Sequence, residues 1–173
     1  MTNMNYKRLF VPNSLIFITA VTKDRKKILI EHIESLRNAF KATKQKYSFD
    51  VIAIIVNEDH FHMIIKPEDI KSYPKIIGNI KSTFTKMSKI AYSLNNNGEA
   101  DVWQRRYWEH TIVNEEDLYK HLDYIHYNSM KHYGIAPKNW NFSSFGKFVK
   151  NGYYANDWCN FDDKYKIKSM NIE

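Results

Sequence analysis

Asp50-Val51-Ile52-Ala53-Ile54-Ile55-Val56-Asn57-Glu58-Asp59-His60-Phe61-His62-Met63-Ile64-Ile65-Lys66-Pro67 is the stretch on which the fold turns. From Phe49 to Val56 the chain is rich in β-branched residues and reads as a strand. Asn57-Glu58-Asp59 follows as a tight turn, because Asn and Asp side chains bond their own backbone and tolerate turn geometry. His60 to Ile65 is the returning strand, and Pro67, which has no N–H to donate, stops it. The stretch therefore predicts an antiparallel hairpin.

Upstream, Leu15-Ile16-Phe17-Ile18-Thr19-Ala20-Val21-Thr22 reads as another strand. Between it and the hairpin, Ile33, Leu36, Ala39 and Phe40 recur at helical spacing, predicting an amphipathic helix over 28–47. Downstream, Ile76, Ile77, Ile80, Phe84, Met87, Ile90 and Ala91 predict a second helix over 72–94. Asn95-Asn96-Asn97-Gly98 is a loop, and Trp108 to Val113 a fourth strand. Asn114 is a good N-cap, with Glu115, Glu116 and Asp117 in the positive first turn of a third helix running to about Lys131. Beyond Gly134 the chain is aromatic and irregular. The order β-α-β-β-α-β is that of an α+β, ferredoxin-like fold: an antiparallel sheet with helices on one face, here with an added last helix. One domain over 1–158 is expected, followed by a basic, flexible tail over 159–173 that carries Lys164, Lys166 and Lys168.

The chain has 173 residues, enough to bury a core, and 43% are hydrophobic. No apolar run approaches the roughly 18–20 residues a membrane span needs. The single cysteine, Cys159, excludes an intrachain disulfide and a multi-cysteine zinc site, so a cytoplasmic location is expected. A formal charge of +7 accompanies twelve tyrosines and four tryptophans. That combination suits single-stranded nucleic acid, whose phosphates meet Lys and Arg and whose bases stack on rings. A merely basic protein has the same totals.

His60-Phe61-His62 is the sharpest chemical feature. Side chains alternate along a strand, so the two imidazoles point one way, ~7 Å apart, and Phe61 points into the core. Such a pair can chelate one divalent cation; two surface histidines beside a turn would look the same. In the third helix, Leu118, Leu122 and Ile125 form the buried stripe, while Tyr124 and Asn128 stack on one flank of it. His121 and Lys131 lie close to that flank, and Tyr127 lies on another. A tyrosine, an amide and a lysine so placed could be nucleophile, metal ligand and phosphate contact; Tyr124 could equally be an ordinary half-buried tyrosine. No dedicated general base stands out. His121 and His126 on the helix and His110 on the fourth strand are candidates, each with a structural alternative.

Several segments in register resemble the REP-associated tyrosine transposases, within the single-tyrosine HUH (His-hydrophobe-His) superfamily. They are Tyr6-Lys7-Arg8, Phe17 to Arg25, Val56 to His62, Ile80-Lys81-Ser82, Trp103-Gln104-Arg105-Arg106-Tyr107-Trp108-Glu109-His110, Asp123-Tyr124-Ile125-His126-Tyr127-Asn128 and Ser143-Ser144-Phe145. The resemblance implies His60 and His62 as metal ligands, Tyr124 as nucleophile, and Asn128 in the place of a glutamine that supplies a third ligand. It implies Mg²⁺ or Mn²⁺, and a hairpin-forming single-stranded DNA that is cut and rejoined through a 5′-phosphotyrosine. Lys81, Lys86, Lys89, Arg105, Arg106 and Lys131 become candidate DNA contacts, with Trp103 and Tyr107 as stacking platforms. The family pattern Asn-Pro-Val-Lys-His-Gly is here Asn128-Ser129-Met130-Lys131-His132-Tyr133-Gly134: the proline is lost and one residue is inserted, so the helix is expected to run further. Relatives act as monomers or homodimers. The competing expectation is a domesticated DNA-binding protein of the same fold that no longer cuts. An RNA-binding ferredoxin-like domain would need aromatics where the third strand carries histidines, and a zinc hydrolase would need a third strong ligand.

Overall fold

The computed structural model of the protein describes residues 10–95, 98 and 100–159. The segment Tyr6-Lys7-Arg8 and residues 160–173 of the expected tail lie outside the described residues. The elements in chain order are β1 (Ile16–Val21), α1 (Ile33–Lys44), β2 (Phe49–Val56), β3 (His60–Pro67), α2 (Tyr73–Ser88), β4 (Trp108–Thr111), α3 (Glu115–Tyr133) and α4 (Phe145–Lys150). The four strands form one antiparallel sheet in the order β2-β3-β1-β4, the ferredoxin-like arrangement that the element order predicts.

Alternation along the strands sends side chains to two different layers. Ile16, Ile18 and Ala20 of β1 and Phe61, Met63 and Ile65 of β3 join the larger core, together with Leu36 and Ala39 of α1 and Ile76, Ile77, Ile80 and Phe84 of α2. Phe17, Ala53, Ile55 and Ile64 look the other way and meet Leu122, Tyr124 and Ile125 of α3. The added helix thus covers the face that α1 and α2 leave open. A bulge between Val51 and Ala53 shifts the β2–β3 register, so that Ala53 and Ile55 pack beneath α3 while Val51, Ile54 and Val56 stay with the first layer.

Helix ends differ from the apolar periodicity where tertiary ties intervene. α1 starts at Ile33 rather than Ile28, because the Leu29 N–H donates to the Glu58 carbonyl at 2.9 Å and ties that segment to the hairpin turn. α2 stops at Ser88 rather than Leu94: Lys89 takes a left-handed conformation (φ 55°), and Ser93 instead donates its N–H to Asp101 Oδ1 at 2.8 Å. β4 ends at Thr111, two residues before Val113. α3 runs on to Tyr133, as the missing proline allows, and Gly134 (φ 64°) closes it by donating its N–H to the Met130 carbonyl.

Candidate active site beneath the third helix

β3 aims His60 and His62 at α3, and both are essentially inaccessible at 1% and 0% exposed. Each ring is pinned through Nδ1. His60 Nδ1–H donates to Asp59 Oδ1, and Asp59 Oδ2 in turn accepts from Arg25 Nη1 at 3.1 Å. Burial alone would raise the Asp59 carboxyl, but its bonds from His60 and Arg25 outweigh burial and hold it below the usual carboxylate range. His62 Nδ1 is hydrogen-bonded to Thr19 Oγ1 at 2.8 Å, across the β1–β3 register that pairs Thr19 with His62. A second group fixing one ring nitrogen selects the tautomer that offers the other, Nε2, to a cation. The rings lie 4.9 Å apart, centroid to centroid.

Opposite them, α3 presents Tyr124, 4% exposed, with its ring edge-on to His62 at 5.1 Å and to Phe17 at 6.1 Å. One turn on, Asn128 is fully buried. Asn57, from the turn before β3, joins the two elements: its Nδ2 donates to His60 Nε2 at 2.9 Å and to Asn128 Oδ1 at 2.6 Å. Asn57 Oδ1 and Asn128 Nδ2 are buried with no hydrogen-bond partner. Lys131, one further turn along α3, donates from Nζ to the Tyr124 hydroxyl at 3.4 Å and stands 5.1 Å from the ring centre. His132 brings a third imidazole to within 5.0 Å of His60. Tyr127 is on another flank, against Trp158.

His60 Nε2 and Asn128 Oδ1 meet at Asn57 Nδ2 and the His62 ring lies 4.9 Å from that of His60, so nitrogen and oxygen donors able to hold a divalent cation are grouped here, and Asn57 Oδ1 is a buried acceptor that such an ion would satisfy. A second cluster has the spacing to hold a metal: ligand atoms of His110, Asp117 and His121 all lie within 4.8 Å of one another. Its groups are also bonded to one another, with His121 Nε2 left buried and without a hydrogen bond. Asp117 Oδ2 accepts from His110 Nε2 at 2.8 Å and from the Val113 N–H at 3.0 Å, and His121 Nδ1 donates to the Asp117 carbonyl at 2.8 Å. The cluster ties β4 to the first turn of α3.

That network engages two of the three candidate bases. The third, His126, is fully buried, bonded through Nε2 to Ser144 Oγ at 2.8 Å, and burial pulls its pKa down to about 3. It fastens the C-terminal segment to the sheet, since Ser144 Oγ also accepts the Ile54 N–H. Burial likewise lowers His121.

The expected DNA contacts separate by environment. Lys86, Lys89, Arg105 and Arg106 are exposed. Lys81 spends its ammonium on the carbonyls of Gln104 and Arg105, at 2.8 and 3.4 Å, and so holds the loop that carries the two arginines. Trp103 is a core residue, 7% exposed, edge-on to Phe61 and Phe84, with its indole N–H on the Lys81 carbonyl. Tyr107 also packs against the main core. Lys23, Lys81, Lys86 and Arg105 rim a cleft of about 770 Å³ beside α2. Residue spacing did not reveal Thr19, Asn57 or Asp59. Asn57 and Asp59 were visible only as turn formers, and Thr19 needed the strand register.

Residues 10–128 match the family model described as "Transposase IS200 like". A Haemophilus influenzae protein, provisionally named a REP-associated tyrosine transposase, is 40% identical over 172 residues, covering 95% of this chain and 97% of that one. The REP-associated tyrosine transposase of Escherichia coli K12 is 32% identical over 157 residues, covering 89% and 90%. Among solved structures, a REP-associated tyrosine transposase bound to a REP hairpin superposes with a TM-score of 0.80 at 28% identity, covering 91% of this chain and 92% of that chain.

Proposed function

The chain belongs to the IS200-like transposase family, in its REP-associated tyrosine transposase branch, and from that premise we propose that it cuts and rejoins hairpin-forming single-stranded DNA through Tyr124. The observation that carries this reading is the approach of the Tyr124 ring to His62 within one chain, with Lys131 on the hydroxyl. A nucleophile serving the histidines of its own chain needs no second copy to complete the site.

The Tyr124 hydroxyl oxygen attacks the phosphorus, the bond to the 3′ oxygen breaks, and a 5′-phosphotyrosine and a free 3′ hydroxyl result. The phenol proton leaves with the departing 3′ oxygen or through solvent. A phenol with an ordinary pKa near 10 is a tolerable leaving group, so a second 3′ hydroxyl can reverse the step on another end. His60, His62 and Asn128 would hold Mg²⁺ or Mn²⁺, which when bound supplies charge stabilisation at the phosphate. Asp59 and Thr19 orient the two imidazoles. Lys131 donates to the hydroxyl and is an exposed residue, so it can swing to the phosphate as DNA displaces it, stabilising charge that develops there. The cleft rimmed by Lys86 and Arg105, with Arg106 and Lys89 beyond it, offers a phosphate track for the hairpin.

The test is a labelled hairpin with a single-stranded flank, incubated with the protein and Mn²⁺. A denaturation-resistant protein–DNA band should form with the wild type and vanish in Tyr124→Phe while hairpin binding persists. No band with the wild type would leave a DNA-binding protein that does not cut. A band that survives in Tyr124→Phe would move the nucleophile elsewhere.

A further inference from the structure

Asn57 is wholly buried, yet its amide is only half satisfied. Its Nδ2 donates to His60 Nε2 and to Asn128 Oδ1, two of the three atoms assigned above to a cation, and its own Oδ1 has no partner. Both acceptors are lone pairs that a divalent ion would need. An N–H donor and a cation make the same electrostatic demand on a lone pair, so the amide satisfies in the metal-free protein what the metal would satisfy later. The two cannot be satisfied together: a cation that takes His60 Nε2 and Asn128 Oδ1 removes both acceptors from Asn57 and sets positive charge against its N–H₂ group. Rotation about the last side-chain torsion exchanges the two ends of the amide. That torsion is broad and roughly two-fold, so the exchange needs no backbone movement. It would bring the unsatisfied Oδ1 to the same spot, where an amide oxygen is a suitable ligand for Mg²⁺ or Mn²⁺.

We propose that Asn57 is a two-position group: its N–H₂ holds β3 and α3 together without metal, and its Oδ1 turns to the cation as a further protein ligand when metal binds. The inference rests on the metal reading of His60, His62 and Asn128. It gives Asn57 a structural role without metal and a ligand role with it, and it explains why a buried amide oxygen is left without a donor.

Two substitutions separate this from a simple hydrogen-bonded tie. Asn57→Asp can accept but not donate. It should lower the melting temperature of the metal-free protein, because a carboxylate then faces the His60 and Asn128 lone pairs, yet bind Mn²⁺ about 10-fold more tightly or better as a charged oxygen ligand. Asn57→Ala should lower both, with Mn²⁺ affinity falling by about 10-fold. Mn²⁺ binding is read directly, by the loss of the free-ion electron paramagnetic signal, with no DNA present. Should Asn57→Asp fail to fold, asparagine-labelled wild-type protein supplies the second measurement: saturating Mg²⁺ should shift the Asn57 side-chain NH₂ resonance, assigned by its loss in Asn57→Ala. Mn²⁺ affinities within twofold of wild type in both variants, or an unmoved NH₂ resonance, would overturn the proposal while leaving the three-ligand site intact. If the wild type takes up no Mn²⁺ at all, the metal reading itself fails and Asn57 is only a tie.

Discussion

At the scale of single residues, the site rests on groups that touch the imidazoles from behind. Thr19 is the more informative of these, because its Oγ1 is the side-chain group that bonds His62 Nδ1, while the backbone pairing of the two residues does not depend on it. Thr19→Val keeps the β-branched shape of a buried strand residue and removes the bond. Without it the ring can present either nitrogen, and Mn²⁺ affinity should fall roughly 10- to 100-fold, the usual effect of losing an outer-shell partner. An unchanged affinity in a binding titration would mean that His62 is not a ligand. Lys131 makes a different prediction. Lys131→Met keeps the stem and removes the charge beside the Tyr124 hydroxyl, so single-turnover formation of the covalent adduct should slow by roughly 10²-fold, the scale of losing one well-placed electrostatic donor. Hairpin affinity should hardly change. A loss confined to affinity would make Lys131 one more phosphate contact.

At the scale of elements, α3 carries Tyr124, the proposed nucleophile, with Asn128 and Lys131, and its register against the sheet depends on how its two ends are fixed. Asn114 caps the start by accepting the Asp117 N–H at 2.9 Å, and Gly134 closes the end in a left-handed conformation with open space around its Cα. Gly134→Ala therefore meets no clash but adopts a backbone that L-residues avoid, and should cost about 1–2 kcal/mol in urea unfolding. A neutral substitution would show that the helix ends elsewhere in solution. The same contrast between local and distant causes decides what could be read from the chain alone. The central hairpin, the shared face of His60 and His62, and the common flank of Tyr124 and Asn128 follow from periods of two and 3.6, which are local. The start of α1 and the end of α2 were misplaced because Glu58 and Asp101, distant in sequence, capture their backbones. Trp103 and Tyr107 looked like stacking platforms because an aromatic residue beside two arginines suits a nucleic-acid surface; in the fold the Trp103 ring lies in the core beside Phe61 and Phe84, and Tyr107 packs, partly buried, against the same core. Asn57 was legible as a turn former but not as a site residue, since its partners are set by the docking of α3.

At the scale of the molecule, docking of α3 and the C-terminal segment on the sheet buries histidines whose neutrality makes stability depend on pH. His126 is the clearest case: fully buried, bonded to Ser144 and packed against Phe148 and Tyr154, with its pKa pulled from 6.5 to about 3 by burial. The unfolded chain takes up the proton near the ordinary value, while the folded chain refuses it until about pH 3. Above pH 6.5 both states are neutral and His126 adds no pH dependence. As pH falls from there, the unfolded state is favoured progressively, by roughly 1.4 kcal/mol per unit for one fully shifted group, until the folded state also protonates. His121, lowered by burial in the same direction, adds to the slope. His126→Gln can keep a polar contact with Ser144 but does not titrate. It should be less stable than wild type at pH 7.5, yet lose roughly 2–3 kcal/mol less on going to pH 4.5 in metal-free urea unfolding. Parallel pH profiles for the two proteins would mean that the imidazole already reaches solvent, and that the C-terminal segment is not held against α3 as the Ser144 and Tyr154 contacts require.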